Sequence, residues 1–260
     1  MNPFENWQQW AQTPLGLKLL AEEQAWLDET LQDVFGYNAL QIAPPALDAL
    51  RLSRMTCRAK VAWALPAPND ALEPQTCSAI HSSLSSLPFL THSLDLLVLA
   101  HGLEVAPDPH QLLREAERVL IPEGKLVITG FNPLSAWAIR RRCRSVNRFP
   151  PAGHQWIGLA RLKDWLKLLN FDVGAGSASA YGAYIPPFDS PKWLERMAWM
   201  EPAGRRWWPM AGGVYFLMAI KRVHGMRVIG PVWRKPARAG QAVVATSSVK
   251  AGSVRAARSG

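Results

Sequence analysis

Residues 94–129 read LDLLVLAHGLEVAPDPHQLLREAERVLIPEGKLVIT, and the order of patterns inside them decides the fold class. Leu94 to Ala100 is a nearly unbroken apolar run. A strand of that kind is buried on both faces, as in parallel sheets covered by helices. Asp108 then offers an N-cap, Pro109 stands at the first helical position, and Gln111 completes a capping-box-like pair. Leu112, Leu113, Ala116, Val119 and Leu120 share one helical face, while Glu115, Glu117 and Arg118 face away. Pro122 and Gly124 end the helix, and Lys125 to Thr129 resumes a strand. Strand, helix and strand in so short a space form a βαβ unit, with a right-handed crossover expected.

Upstream, Thr13-Pro14 reads as an N-cap and first helical residue, and Leu20, Leu27, Leu31 and Val34 then mark one face of a helix that stops near Gly36. Residues 39–42 predict a short strand ended by Pro44-Pro45. Leu47, Leu50 and Leu52 suggest a short helix, and residues 61–65 a second strand ended by Pro66. Downstream, Leu162, Trp165, Leu166 and Leu169 predict an amphipathic helix, residues 171–173 an edge strand and residues 214–220 another strand. Residues 226–260 read as a basic, flexible tail, whose last part is rich in Ala, Gly, Ser and Arg without apolar periodicity. Residues 1–36 read as a helical extension ahead of one α/β domain over 37–225.

Apolar residues make up 48% and charged residues 19% of the 260, with 12 tryptophans, which excludes a generally disordered chain. The formal charge of +9 is unevenly placed. Residues 202–260 hold eleven Lys and Arg and no acid, leaving residues 1–201 at −2. The basicity therefore describes one end of the chain. Cys57, Cys77 and Cys143 are odd in number and form no CxxC pair, which argues against a disulfide framework or structural zinc and suits a reducing, cytoplasmic compartment. The start, MNPFENWQQW, lacks a signal-peptide pattern, and no apolar stretch is long enough to span a bilayer, so a soluble protein is expected.

Three stretches together carry a family resemblance: Leu87-Pro88-Phe89; Ser93 to Leu99; and His101-Gly102-Leu103-Glu104 with Pro107-Asp108-Pro109. With Leu113-Arg114-Glu115 and Arg118-Val119-Leu120, they resemble the type 11 class I S-adenosylmethionine-dependent methyltransferases. The resemblance implies a three-layer, Rossmann-like α/β fold. Its seven-stranded sheet would be mostly parallel, with an antiparallel last strand at 214–220. It also implies S-adenosylmethionine as cofactor, bound at the carboxyl ends of the first strands, and a methyl acceptor whose identity the sequence does not give. Residues 174–212 would form the substrate-side insertion over the site mouth. Asn132, past the strand at 125–129, would face the same crevice.

By the same resemblance the cofactor-binding residues are Gln41, Ile42 and Ala43 after the first strand, Ser83 and Leu84 on the adenine side, and Ala100 and His101 after the fourth strand. The family has a glycine-rich loop where this chain has Ala43, Pro45 and Leu47, and an acid where it has Gln41. Proline has no N–H and a fixed φ, so it cannot replace a glycine that lets backbone approach the ligand. The alternative reading is therefore a pseudo-methyltransferase: the fold kept, the chemistry lost, the crevice used for another ligand or protein. Asp70 lies four residues late for the ribose acid, and Ser83 replaces the adenine-side Asp. No catalytic residue and no metal site is assigned. Glu104 reads as turn packing, and His101 as either a cofactor or substrate contact or a strand-end cap. Arg140, Arg141, Arg142, Arg144 and Arg148 form either a solvated helix face or a clamp for an anionic partner. Nucleic acid is one candidate partner for the basic C-terminal segment.

Overall fold

The protein was analysed as a computed structural model, which describes residues 3–61, 77–80, 84–138, 155–174, 179–184, 191–197 and 199–223. Eight strands occur among them: β1 (Asn38–Ile42), β2 (Cys57–Val61), β3 (Cys77–Ile80), β4 (Leu94–Ala100), β5 (Leu120–Phe131), β6 (Phe171–Asp172), β7 (Ser179–Gly182) and β8 (Val214–Lys221). The described helices are α1 (Pro3–Ala11), α2 (Pro14–Leu31), α3 (Gly102–Val105), α4 (Pro109–Val119), α5 (Leu159–Leu168), α6 (Pro191–Arg196) and α7 (Met200–Trp207). The sheet runs β3-β2-β1-β4-β5-β8-β6, with β7 also paired to β8, so that β6 and β7 share one edge. Strands β1 to β5 pair in parallel, and β8 is antiparallel to its neighbours.

Alternation along the central strands builds two cores. Leu97 and Leu99 of β4, Leu40 and Ile42 of β1, and Leu126 and Ile128 of β5 enter the core shared with α4 and α5. Leu96, Val98 and Ala100, with Ala39 and Val127, enter the other, against Leu20, Leu27 and Leu31 of α2. That is the helix-on-both-faces sandwich expected when strands read as continuous apolar runs.

The caps follow the sequence closely. Thr13 accepts from Gly16 N–H ahead of α2, and Asp108 accepts from the His110 and Gln111 N–H groups ahead of α4. Two expectations are corrected. The residues after β1 form turns, at 45–46 and 49–52, and not a helix. The apolar positions of that loop are used all the same: Leu47, Ala49 and Leu50 pack against the α2 face of the sheet. With α2 already covering that face, the β1–β2 connection has no stripe left for a helix to bury. The second correction concerns β5, which starts at Leu120 directly after α4. It runs through Pro122 and Gly124 with a register shift against β4 and Glu123 in the left-handed region. Only residue 61 of the strand expected at 61–65 is described, as the last residue of β2.

Arg118 ties α4 to the strand-entry loop. Its guanidinium donates to the carbonyls of Leu87 and Phe89 at 3.0 and 2.9 Å and pairs with Glu115, which also accepts the Leu87 N–H. The Arg118 bond holds the Glu115 carboxyl below its usual range despite opposing burial. Arg118→Ala leaves these acceptors half satisfied and is expected to cost about 1–3 kcal/mol in a denaturant titration. Arg118→Lys should recover only part, because an ammonium cannot reproduce the fork.

Candidate active site

His101 sits at the carboxyl end of β4 in the left-handed region, φ 55°, and its N–H donates to Thr129 of β5 at 3.0 Å. The passage from β4 into helix α3 needs that turn, and histidine is among the residues that tolerate it. Its ring is fully buried. The Nε2 atom lies 2.8 Å from Glu23 Oε1 and the Nδ1 atom 3.1 Å from Glu104 Oε2. Burial alone would lower the imidazole pKa. The charges of Glu23 and Glu104, with their hydrogen bonds, override it and raise it from 6.5 to about 10. The ring is thus an imidazolium between two carboxylates.

Glu104 is anchored a second time, since its Oε1 accepts the Phe131 N–H. Gly130 makes this possible: a Cβ there would lie 2.5 Å from the Tyr215 hydroxyl and 3.1 Å from Glu104 Oε1. Burial first, then the Glu104 and Tyr181 charges, pushes the Tyr215 phenol well above its usual range. Glu23 reaches the cluster from α2, and its Oε2 is buried without a hydrogen-bond partner. With His101 protonated, the three side chains sum to one negative charge.

Aromatic rings close the cluster off. Trp7 of α1 lies 4.7 Å from the His101 ring and Phe131 lies 4.5 Å from it. Trp10, Trp137 and Trp156 extend the layer. Helix α1 folds back this tightly because Gly16 opens α2, where a Cβ would collide with the Trp10 carbonyl.

The residues singled out from the sequence lie as follows. Ile42, Ala43, Ala100 and His101 converge where β1 and β4 end, and each is buried. Leu84 is buried nearby in the same core as Ile42. Gln41 turns toward the other face. Its Nε2 donates to the Leu47 carbonyl at 2.6 Å and its Oε1 accepts the Leu50 N–H at 3.3 Å, so it staples the loop after β1. Pro44 accepts the Leu47 N–H at 2.9 Å in the same loop. Asn132 ties its own turn to the segment before β8, donating to Met210 and Gly212 carbonyls at 2.8 and 2.9 Å. Glu104 does more than pack a turn, because it is half of the charge clamp. Ser83, Asp70, His81, the arginines at 140–148 and the tail at 226–260 lie outside the described residues. Among the described residues no group of His, Cys, Asp and Glu is arranged to hold a metal ion, and no helix is long and apolar enough to cross a membrane.

Sequence reading missed Glu23. The signal was present: it stands three residues after Leu20 and four before Leu27, an acid inside the buried stripe of a helix. An acid there needs a buried cation, and His101 supplies it.

A sheet of this order, with parallel β1 to β5 and an antiparallel β8 between β5 and the β6–β7 edge, is the class I methyltransferase fold. Residues 55–128, from just before β2 to the middle of β5, match the "Methyltransferase domain" family. The uncharacterized protein YafS of Escherichia coli (strain K12) is 48% identical over 87 residues, 34% of this chain and 36% of that protein. The demethylmenaquinone methyltransferase of Chlamydia pneumoniae is 47% identical over 58 residues, 22% of this chain and 25% of that protein. The matches thus span about a third and a quarter of those relatives. A Thermotoga maritima structure described as a methyltransferase, possibly acting on histamine, aligns with TM-score 0.54 at 11% identity. It covers 84% of this chain and 95% of that one, which is a likeness of fold.

Proposed function

We propose that the protein is an S-adenosylmethionine-dependent methyltransferase, with the cofactor held where β1 and β4 end. The observation that carries this reading is the buried Glu23–His101–Glu104 cluster at that point. Its net negative charge and unpartnered Glu23 Oε2 suit a cation such as the cofactor's sulfonium. When bound, the cofactor supplies an electrophilic methyl group. The loop at Ala43 and Pro44, with Ile42, Leu84, Ala100 and His101, would line its pocket. Gln41 would hold the loop's backbone in place, and Ser83 would face the adenine. The chain's own contribution is charge and position, the usual basis of catalysis in such transfers.

The fit is one of charge and not of a glycine loop: Ala43 and Pro44 are buried, and Trp7 occupies the space against His101. Titration calorimetry with S-adenosylmethionine tests the reading. One saturable site is expected, with a melting temperature that rises with ligand concentration. No heat and no thermal shift at millimolar ligand would leave the other reading, a member of the fold that has dropped the chemistry.

The cysteine content favours the cytoplasm, and the acid-free segment 202–260 suits an anionic partner.

A further inference from the structure

Trp199, Trp207, Trp208 and Met210 project into solvent together at the end of the chain's α/β unit, each at least 62% exposed. Four large apolar side chains within twelve residues form the kind of surface that soluble proteins seldom leave bare. Trp207 and Trp208 meet edge to face, 6.0 Å between centroids, so their rings present a ridge and not two separate side chains. Behind the ridge lies a cavity of about 190 Å³. Its walls include Trp137, Tyr184, Met200, Ala203 and Ala211, and no charged residue is among its described lining. Trp199 and Trp208 belong to the ridge and to the cavity wall at once. Trp137 is shared the other way: one side faces the cavity, and its ring lies 6.2 Å from Phe131, which packs on His101. A continuous apolar path therefore leads from the exposed ridge to the ring layer over the charge clamp.

The charges around the ridge have one sign in excess. Arg206 is exposed within α7, and Lys192 and Arg196 are exposed on α6 beside one exposed acid, Glu195. Glu201, the acid of α7, is engaged by the Tyr184 N–H at 2.8 Å. Across α6 and α7 the sequence carries Lys192, Arg196, Arg205 and Arg206 against Glu195 and Glu201. Tryptophan rings flanked by Arg and Lys match a bilayer interface, where the indoles sit at headgroup depth and the cations meet anionic lipid. A nucleic-acid groove also takes arginine, but its aromatics stack on bases from within a basic channel. An uncharged cavity opening behind the rings answers to a hydrocarbon or ring that leaves a membrane.

We propose that this ridge docks the protein on an anionic lipid surface and that the cavity receives the apolar ring or chain of a lipid-borne substrate. The purpose so assigned rests on the methyltransferase reading, whereas the docking does not. The test uses the full chain without cofactor, so that failure here and failure to bind S-adenosylmethionine are separate results. In co-sedimentation, the protein should bind vesicles of phosphatidylcholine with roughly one third phosphatidylglycerol, and bind phosphatidylcholine alone at least about tenfold less. The triple variant Trp199→Ser, Trp207→Ser, Trp208→Ser removes exposed rings. It should keep the wild-type melting temperature within a few degrees and lose binding by about tenfold or more. Arg206→Glu should weaken binding to the anionic vesicles only. A neutral naphthylamine dye should fluoresce in the wild-type cavity and not in Ala203→Trp, which fills it. Wild-type protein that stays in the supernatant overturns the proposal, as does a triple variant that binds undiminished or a dye signal indifferent to Ala203→Trp. A dimer that the triple variant dissociates, without vesicle binding, would make the ridge a self-association surface. A shift of a nucleic-acid probe that the triple variant abolishes, again without vesicle binding, would overturn the proposal equally.

Discussion

Replacing His101 by glutamine should lower the melting temperature at pH 6 by roughly 10 °C, and the loss should shrink as the pH rises toward 10. The variant keeps much of the side chain's volume but leaves Glu23 and Glu104 without a cation in a fully buried setting. Breaking a buried ion pair from one side costs about 3–5 kcal/mol, and for a chain of this size each kcal/mol moves the midpoint by a few degrees. The sign with pH follows from the raised value. A histidine at 6.5 when unfolded and about 10 when folded contributes its full stabilisation below pH 6.5. That contribution is lost as the pH climbs through about 10. Paired thermal melts of wild type and variant at several pH values read the difference directly. A gap that stays constant from pH 6 to 10 would mean the imidazole is not charged in the folded state.

Trp7→Ala should move stability and ligand affinity in opposite directions. The indole is 1% exposed and lies against His101, Trp10 and Phe131, so its removal should cost about 3–5 kcal/mol in denaturant unfolding. The space it vacates lies beside the charge clamp. Under the methyltransferase reading the variant should bind S-adenosylmethionine more tightly by calorimetry, at a temperature where it remains folded. If affinity falls along with stability, α1 forms a wall of the pocket and does not fill it.

The middle of the fold was legible because its signals are local. Leu94–Ala100 shows its two-sided burial in one line of sequence, and Asp108-Pro109 announces the helix that follows. The β1–β2 connection was not, because what decides it is distant. Leu47, Leu50 and Leu52 mimic a helical stripe, yet the face they would cover belongs to α2, and only the assembled sheet shows that. The site was half legible. His101 and Glu104 stand in the resembling stretch, and the family pattern pointed to their neighbourhood. Their third member, Glu23, lies 78 residues away in sequence, and no local pattern links the two. Its place in an apolar stripe gave a clue to burial but not to partner. Gln41 shows the reverse case. The resemblance put it beside the ligand, whereas its amide is occupied by the loop's own backbone.

The position of α2 bears on where the chain can be cut. About half of the roof over Ala39, Leu96, Val98 and Val127 comes from residues that precede the first strand. A fragment opening at residue 37 would keep every strand of the sheet and still offer water a broad greasy plane, together with a lone imidazolium stripped of one counter-ion. Such a piece should be recovered as aggregate. Boundaries drawn from the family match alone would therefore exclude part of what the matched residues need in order to fold.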